Sequence, residues 1–432
     1  MRLVGGKLAG SLRLAIAVAL TLLGIGLLAP WQAIARHRPW DQGAPTANVV
    51  GFGAHEGWIT CAKSDRSCNS TPQPVDVPPG VRFVRIDASD ASNLAIDTAG
   101  DVWAWGENHF GALGDGSTDS SVAPVRVENL RHVVLTDTGN SDAVALERNG
   151  TVWAWGNNRS GQLCDGQQGG YVTTPQEISS LSSLPRGEKV TSLSAGGNTT
   201  AFLLSNGTVR TCGSNVDGVL GTGSPRWFSD EPVRVPNLRG HPGPLRNVVA
   251  ITSGDRFVGA LLSNGTVVDW GNNSSGQLGD GTTTNSSTPV RVKELNGVAA
   301  ISYGGDEFFN GQSMALLYNG TVRDWGDNAD GQLGNGTTTD SSLPVPVTVS
   351  DGHSAYVTSI AAGGTHSIAL LSDGNVMVWG GNTVGQLGNG TTTNSDVPIE
   401  VVGLGAKNAA FISAGAVDSL VALKRPPPAS AR

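Results

Sequence analysis

Thr266-Val-Val-Asp-Trp-Gly-Asn-Asn-Ser-Ser-Gly-Gln-Leu-Gly-Asp-Gly281 decides the fold, because the chain keeps returning to it. Close copies occupy residues 101–116, 151–166, 321–336 and 375–390, and a weaker copy, TVRTCGSNVDGVLGTG, occupies residues 208–223. The glycines that close the Trp-Gly pairs are Gly106, Gly156, Gly213, Gly271, Gly326 and Gly380, so successive copies lie 50, 57, 58, 55 and 54 residues apart. A period of this size marks a repeat architecture.

Each repeat contains four short apolar runs, seen most clearly in the fourth copy at residues 248–252, 257–262, 267–270 and 290–292. Between the second and third runs lies Asn149-Gly150, Asn206-Gly207, Asn264-Gly265, Asn319-Gly320 or the variant Asp373-Gly374. This pair is a hairpin signal, expected as a two-residue type I′ turn. Four antiparallel strands per repeat around an axis make a propeller blade. The ends supply a seventh copy. Val49-Val-Gly-Phe52-Gly53 matches a third run, 53 residues before Gly106, and Val75-Asp-Val77 matches a fourth run. Residues 410–413 and 420–423 match a first and a second run. The expected fold is all-β: a seven-bladed β-propeller over residues 48–424, its closing blade shared between the N- and C-terminal segments. Such closure leaves no unpaired sheet edge.

Composition agrees. Glycine contributes 60 of 432 residues, about twice the usual ~7%. Residues 1–35 read as an export signal, with Arg2, Lys7 and Arg13 ahead of an apolar stretch, Pro30 breaking it and Ala33-Ile-Ala35 suited to cleavage. Residues 36–47 read as a linker and 425–432 as a disordered tail. The expected location is extracytoplasmic, with membrane attachment only if the signal stays uncleaved. Without the leader the chain carries 25 basic and 36 acidic groups, a charge of −11. That balance argues against nucleic acid, whose phosphates require Lys and Arg. In an exported chain the cysteines can form disulfides. Cys61 and Cys68 share one polar loop, whereas Cys164 and Cys212 replace the Gly of Gln-Leu-Gly and the Trp of Trp-Gly in neighbouring copies; the pairing stays open. Most Asn-x-Ser/Thr sequons coincide with turns the repeat already requires.

The pattern Ala362-Gly-Gly-Thr-His366-Ser-Ile-Ala-Leu370, continuing through Trp379-Gly380 to Gln386-Leu387-Gly388 and Gly390, resembles the regulator of chromosome condensation repeat family. The resemblance covers roughly residues 48–424 and implies the same seven-bladed propeller. It leaves function open, because the family includes an exchange factor for a small GTPase, receptor and ligase modules, and secreted bacterial inhibitors of β-lactamase. The family's repeat His stands here only as His366; Ser92, Asp142, Thr199, Phe257 and Asp418 occupy the other slots, and the fifth copy carries an insertion there. That loss argues against exchange on a nuclear GTPase.

The Trp column (Trp105, Trp155, Trp270, Trp325, Trp379) reads as filling between sheets, and His366 as a structural hydrogen-bonding residue. Asp327-Asn-Ala-Asp330-Gly331 lacks the ligand set of a calcium loop and reads as a turn. No catalytic constellation, cofactor motif or metal set stands out. In a four-stranded meander the loops after the first and third runs share one face. On that face several copies carry bulk the repeat does not need: Trp58, His109, Phe110, Tyr171, Arg226, Trp227, Phe228, Phe308 and Phe309. Such residues are typical of protein-recognition surfaces. The expected function is that of an exported, monomeric, non-enzymatic module binding a protein partner, with inhibition of an extracytoplasmic enzyme as one form. Two alternatives stand beside it: a glycan- or peptidoglycan-directed enzyme with paired carboxylates in the central channel, and an exchange-factor-like regulator.

Overall fold

The computed structural model describes residues 48–53, 69–89, 92–305, 311–350, 355–405 and 408–424. Among them, strands assemble into seven four-stranded antiparallel sheets, six formed from consecutive strands. Blade 4 runs Val248–Ser253, Phe257–Leu262, Val267–Gly271 and Ser286–Arg291. The closing blade takes its first two strands, Ala409–Ala414 and Asp418–Leu423, from the C-terminal segment. Its third and fourth, Asn48–Gly53 and Asn69–Pro74, come from the N-terminal one. Six consecutive residue pairs, Asn48↔Leu423 to Gly53↔Asp418, join the two halves.

Burial peaks in the second and third strands of blade 4 and is lower in its first and fourth. The second strand of blade 6, His366–Leu371, is buried at every position, while the fourth strand of blade 4 buries only Pro289. Between blades the Trp column fills the gap: Trp105, Trp155, Trp270, Trp325 and Trp379 are all fully buried. Trp325 Nε1 donates to Gln277 O of the preceding blade at 2.9 Å, and Trp155 and Trp270 make the equivalent bonds to Ala112 O and Val219 O at 2.8 and 2.9 Å. The indole approaches so closely that a Cβ at Gly279, the Gly of Gln-Leu-Gly, would lie 2.8 Å from Trp325 Nε1.

Two sequence expectations need correction. The hairpin glycines are left-handed, with φ of 99° at Gly150 and 77° at Gly265, but the asparagines before them are not. The turn closes through Gly150 N→Glu147 O and Glu147 N→Thr151 O, both 2.9 Å. This is a three-residue loop with a type I turn and a glycine bulge. Asn serves through its side chain instead: Asn149 Oδ1 accepts Thr151 N at 2.8 Å and Asn264 Oδ1 accepts Thr266 N at 3.1 Å. The second correction concerns the closing blade, whose outer strand is Asn69–Pro74 rather than residues 75–77. An outer strand faces solvent along much of its length, so apolar periodicity marks only its end.

The third-run loop is organised by a buried asparagine. Asn328 Oδ1 accepts Leu333 N at 2.9 Å, and its Nδ2 donates to Thr337 O and Thr339 O at 3.0 Å. Asn273 and Asn382 repeat the pattern. The segment read as a turn is held by this amide. Among the described residues no group of three or more His, Cys, Asp or Glu is placed to hold a metal ion.

Candidate functional site

Register defines a common slot, the first residue of each second strand, which faces the Trp-Gly glycine. The fifth copy's occupant, hidden by its insertion, is Gln312, paired with Gly326. His366 is fully buried there, with Nε2 2.8 Å from Ser419 Oγ on the closing blade. Ser419 Oγ donates onward to Gln386 O at 3.1 Å, so the imidazole donates through Nε2. Burial lowers its pKa to about 4, keeping it neutral. Gln312 likewise clasps the next blade, its Nε2 donating to His366 O at 2.8 Å and Ser367 Oγ at 2.9 Å. In blades 5 and 6 the slot thus ties one blade to the next, whereas Thr199 Oγ1 donates to Ser214 O of its own blade at 3.0 Å.

Two slots hold aspartates. Asp142 is buried, and neither carboxyl oxygen has a hydrogen-bond partner. Burial raises its pKa to about 8, against the lowering effect of Gln162, and Asp137 adds to the rise. Gln162 Nε2 gives one of its two hydrogens to Asn198 Oδ1 at 2.9 Å, and no hydrogen bond of proper geometry joins it to either Asp142 oxygen. Asp418 is raised to about 7, chiefly by burial. A carboxyl whose folded pKa lies above the unfolded value of about 3.9 costs stability as pH rises from about 4 to its folded pKa. Asp142→Thr, the residue blade 3 uses, should therefore stabilise the fold by up to about 4 kcal/mol at pH 7. The gain should shrink towards zero near pH 4. Chemical denaturation of both proteins across that range checks it; a pH-independent difference would count against the assignment.

The first strands close the ring through another clasp. Ser194 Oγ accepts Ser253 N at 3.0 Å, Ser302 Oγ accepts Ala362 N at 3.0 Å, and Ser413 Oγ accepts Ala88 N at 2.9 Å, each from the following blade. Blades 1 and 2 use Asp87 and Asp137 instead. Asp137 Oδ2 accepts Ala195 N at 3.2 Å and Oδ1 accepts Thr138 N at 2.9 Å; Asp87 accepts Arg85 Nε at 3.1 Å and the Thr136 hydroxyl. Burial raises Asp137 to about 7 and the Asp87 charge adds to it, opposed by Arg85 and the two N–H donors. Paired carboxylates thus line the channel, but both hold the ring together.

On the loop face, blades 1 to 3 gather much of the bulk noted in the sequence. Phe110 meets Tyr171 edge-on, centroids 6.3 Å apart, and the Arg159 guanidinium lies 4.7 Å over the Phe110 ring. His109 beside them is exposed, with Nδ1 3.7 Å from Glu107 Oε2. Arg226 and Trp227 are exposed, the latter by 78%, while Phe228 is half-buried. No contact joins the Trp227 tip to the Phe110–Tyr171 pair among the described residues. Trp58, Phe308 and Phe309 lie outside the described residues, as do Cys61 and Cys68. Arg159 escaped sequence reading, although it occupies the loop slot next to Ser160-Gly161.

Register adds a relation the loop sequences hide. Tyr171 pairs with Asn157 and Phe228 with Ser214, so the two aromatics hold equivalent places one step before the residue opposite the Trp-Gly glycine. Blades 4, 5 and 6 have Ser286, Ser341 and Ser395 directly opposite that glycine and begin their outer strands there. Blades 2 and 3 also carry the disulfide Cys164–Cys212, Cα atoms 5.7 Å apart. Cys164 keeps the left-handed backbone of the glycines it replaces, φ 59° against 62° at Gly279. Cys212 stands in the Trp position, so a covalent bond takes the place of the Gly–indole contact.

Seven such blades, with these loops and this closure, define a propeller of the RCC1-like domain class, and that family's model matches residues 48–421. The chain belongs to this family. It is 32% identical over 229 residues to the ultraviolet-B receptor UVR8 of Arabidopsis thaliana, covering 52% of this chain and 49% of the receptor. It is 32% identical over 248 residues to the human E3 ubiquitin-protein ligase HERC2, covering 57% of this chain and 5% of the ligase. The matched stretch therefore spans about half of the one relative and a small fraction of the other. Among solved structures, Prp20p of Saccharomyces cerevisiae superposes with TM-score 0.73 at 20% identity, covering 92% of this chain and 95% of its own. Human WBSCR16 gives 0.71 at 22%, covering 88% and 99%. These likenesses concern the fold.

Proposed function

We propose that this protein is an exported propeller that binds a protein partner through the loop face of blades 1 to 3. The observation that carries the reading is Trp227, 78% exposed on a backbone that is pinned. Asn215 N donates to Trp227 O at 2.8 Å and Asn215 Nδ2 to Arg226 O at 2.6 Å. An aromatic held in place before contact loses little entropy on binding. The disulfide joins the strand-and-loop frame of Tyr171 to that of Trp227 and supports an oxidising location, consistent with the leader read in residues 1–35. Inhibition of an extracytoplasmic enzyme is the specific form we favour. Prp20p, studied for its binding to Gsp1p and histones, supports a propeller of this shape as a protein-binding frame. An enzymatic channel is less well supported, because its carboxylates are engaged in ring closure.

Replacing Trp227 and Phe228 together by Thr should leave thermal unfolding unchanged. Binding to a partner recovered by affinity capture should weaken by at least ~30-fold, the cost of losing a hot-spot aromatic. Lost stability with unchanged binding would make the tip a packing plug and remove the main support for this face.

A further inference from the structure

The face opposite the recognition loops carries the hairpins and the links between blades. The links on either side of blade 3, residues 178–189 and 235–247, are the longest between described strands, at 12 and 13 residues against 6 to 9 elsewhere. The second is ordered by its own bonds: Asn237 N donates to Gly243 O at 2.9 Å, Leu245 N to Val235 O at 3.0 Å and His241 N to Leu238 O at 2.9 Å. Exposed Arg186 and Lys189 stand on the first link, and exposed Arg239 and Arg246 on the second. In the blade between them Arg210 and Arg234 lie directly opposite each other on the third and fourth strands, a like-charge pairing that costs a sheet stability. Burial lowers the Arg210 pKa and the Arg234 charge lowers it further, opposed by Glu188. None of these six cations is ion-paired among the described residues. The acidic groups of this sector are Glu177 and Glu188, so six cations less two anions leave +4, on a chain whose total is −8.

A basic sector on an acidic molecule steers that side towards anionic surfaces. A second observation concerns attachment. The chain enters the propeller on the same face, where Asn48 pairs with Leu423 in place of a hairpin, 20 residues after the apolar stretch of residues 14–28 ends. Whatever holds the leader at a bilayer therefore holds the propeller by its basic side. The loop face keeps only Arg159, Arg226 and Arg256 among the described Lys and Arg, and Arg256 Nε is 3.0 Å from Asp255 Oδ2. We propose that the hairpin face around blade 3 docks on a bilayer of anionic phospholipid, with Arg186, Lys189, Arg239 and Arg246 against the headgroup phosphates. The guanidinium fork matches phosphate oxygens at two points, and each cation beside anionic headgroups strengthens attachment about fivefold. In this orientation Trp227 and the Phe110–Tyr171 pair face away from the lipid. The inference does not rest on the partner-binding reading, because it uses the other face.

The test sediments the full chain with vesicles of phosphatidylglycerol and phosphatidylcholine in equal parts, and with vesicles of phosphatidylcholine alone. The leader contributes equally to every variant, so comparing variants isolates the face. Arg186→Gln, Arg239→Gln and Arg246→Gln combined should lower partition onto the anionic vesicles at least ~10-fold. Partition onto neutral vesicles and thermal unfolding should not change. Raising the salt from about 0.1 M to about 1 M shortens the Debye length from ~10 Å to ~3 Å and should erase the difference. If the triple variant fails to fold, Arg239→Gln alone takes its place, with a loss of about fivefold. Equal partition of wild type and folded variant, or a difference that survives the high salt, would overturn the site. Tighter binding of the wild type to duplex DNA or polyglutamate than to the vesicles, lost in the same variant, would overturn the bilayer in favour of an acidic macromolecule. No protein partner is present in any arm, so failure here is separate from failure of the recognition loops.

Discussion

Removing residues 409–432 should leave a chain that unfolds or associates. The deletion takes the first two strands of the closing blade, including Leu420, Val421, Ala422 and Leu423, all fully buried. Asn48–Gly53 would lose its six-residue pairing with Asp418–Leu423. Blade 1 would lose the Ser413 clasp to Ala88 N, and blade 6 the Ser419 partner of His366. Opening the ring thus exposes sheet edges and two blade faces at once. Size-exclusion chromatography with thermal unfolding checks it. A monomer with an unchanged midpoint would show that closure contributes nothing.

Trp325→Ala should destabilise the fold by about 3–5 kcal/mol, the range for deleting a buried aromatic. The indole is fully buried and meets Tyr303 edge-on, centroids 6.1 Å apart. It packs on Gly279, whose missing Cβ makes room for it, and bonds to Gln277 O. Truncation leaves a cavity between two sheets and removes one of the two donors to Gln277 O, the other being the Ser313 hydroxyl at 2.8 Å. Chemical denaturation gives the value; a loss under about 0.5 kcal/mol would match an exposed binding residue and contradict the packing role.

The blade count, the shared closing blade and the packing role of the Trp column were legible in the chain, because each rests on a spacing that repeats. The fifth copy's slot was not, since its insertion hides Gln312 until the register with Gly326 is seen. The Asn-Gly turn was located correctly and typed wrongly. Type I′ and bulged type I hairpins both favour these residues, and only the backbone angles separate them. Asp87 and Asp137 went unnoticed because they lie in different repeats and read singly as strand residues.

What the sequence determined by itself is the frame: glycines where the backbone must turn, tryptophans where neighbouring sheets meet, and two end segments in phase for one blade. These are periodic and local, so a single chain displays them. What only the tertiary structure decided is which exceptions meet. Cys164 and Cys212 stand 48 residues apart and form one bond, Phe110 and Tyr171 from different blades form one aromatic pair, and Asp87 and Asp137 share one cavity. The reason is geometric: a closed ring brings side chains a whole repeat apart to within bonding distance, and sequence separation carries no trace of that contact.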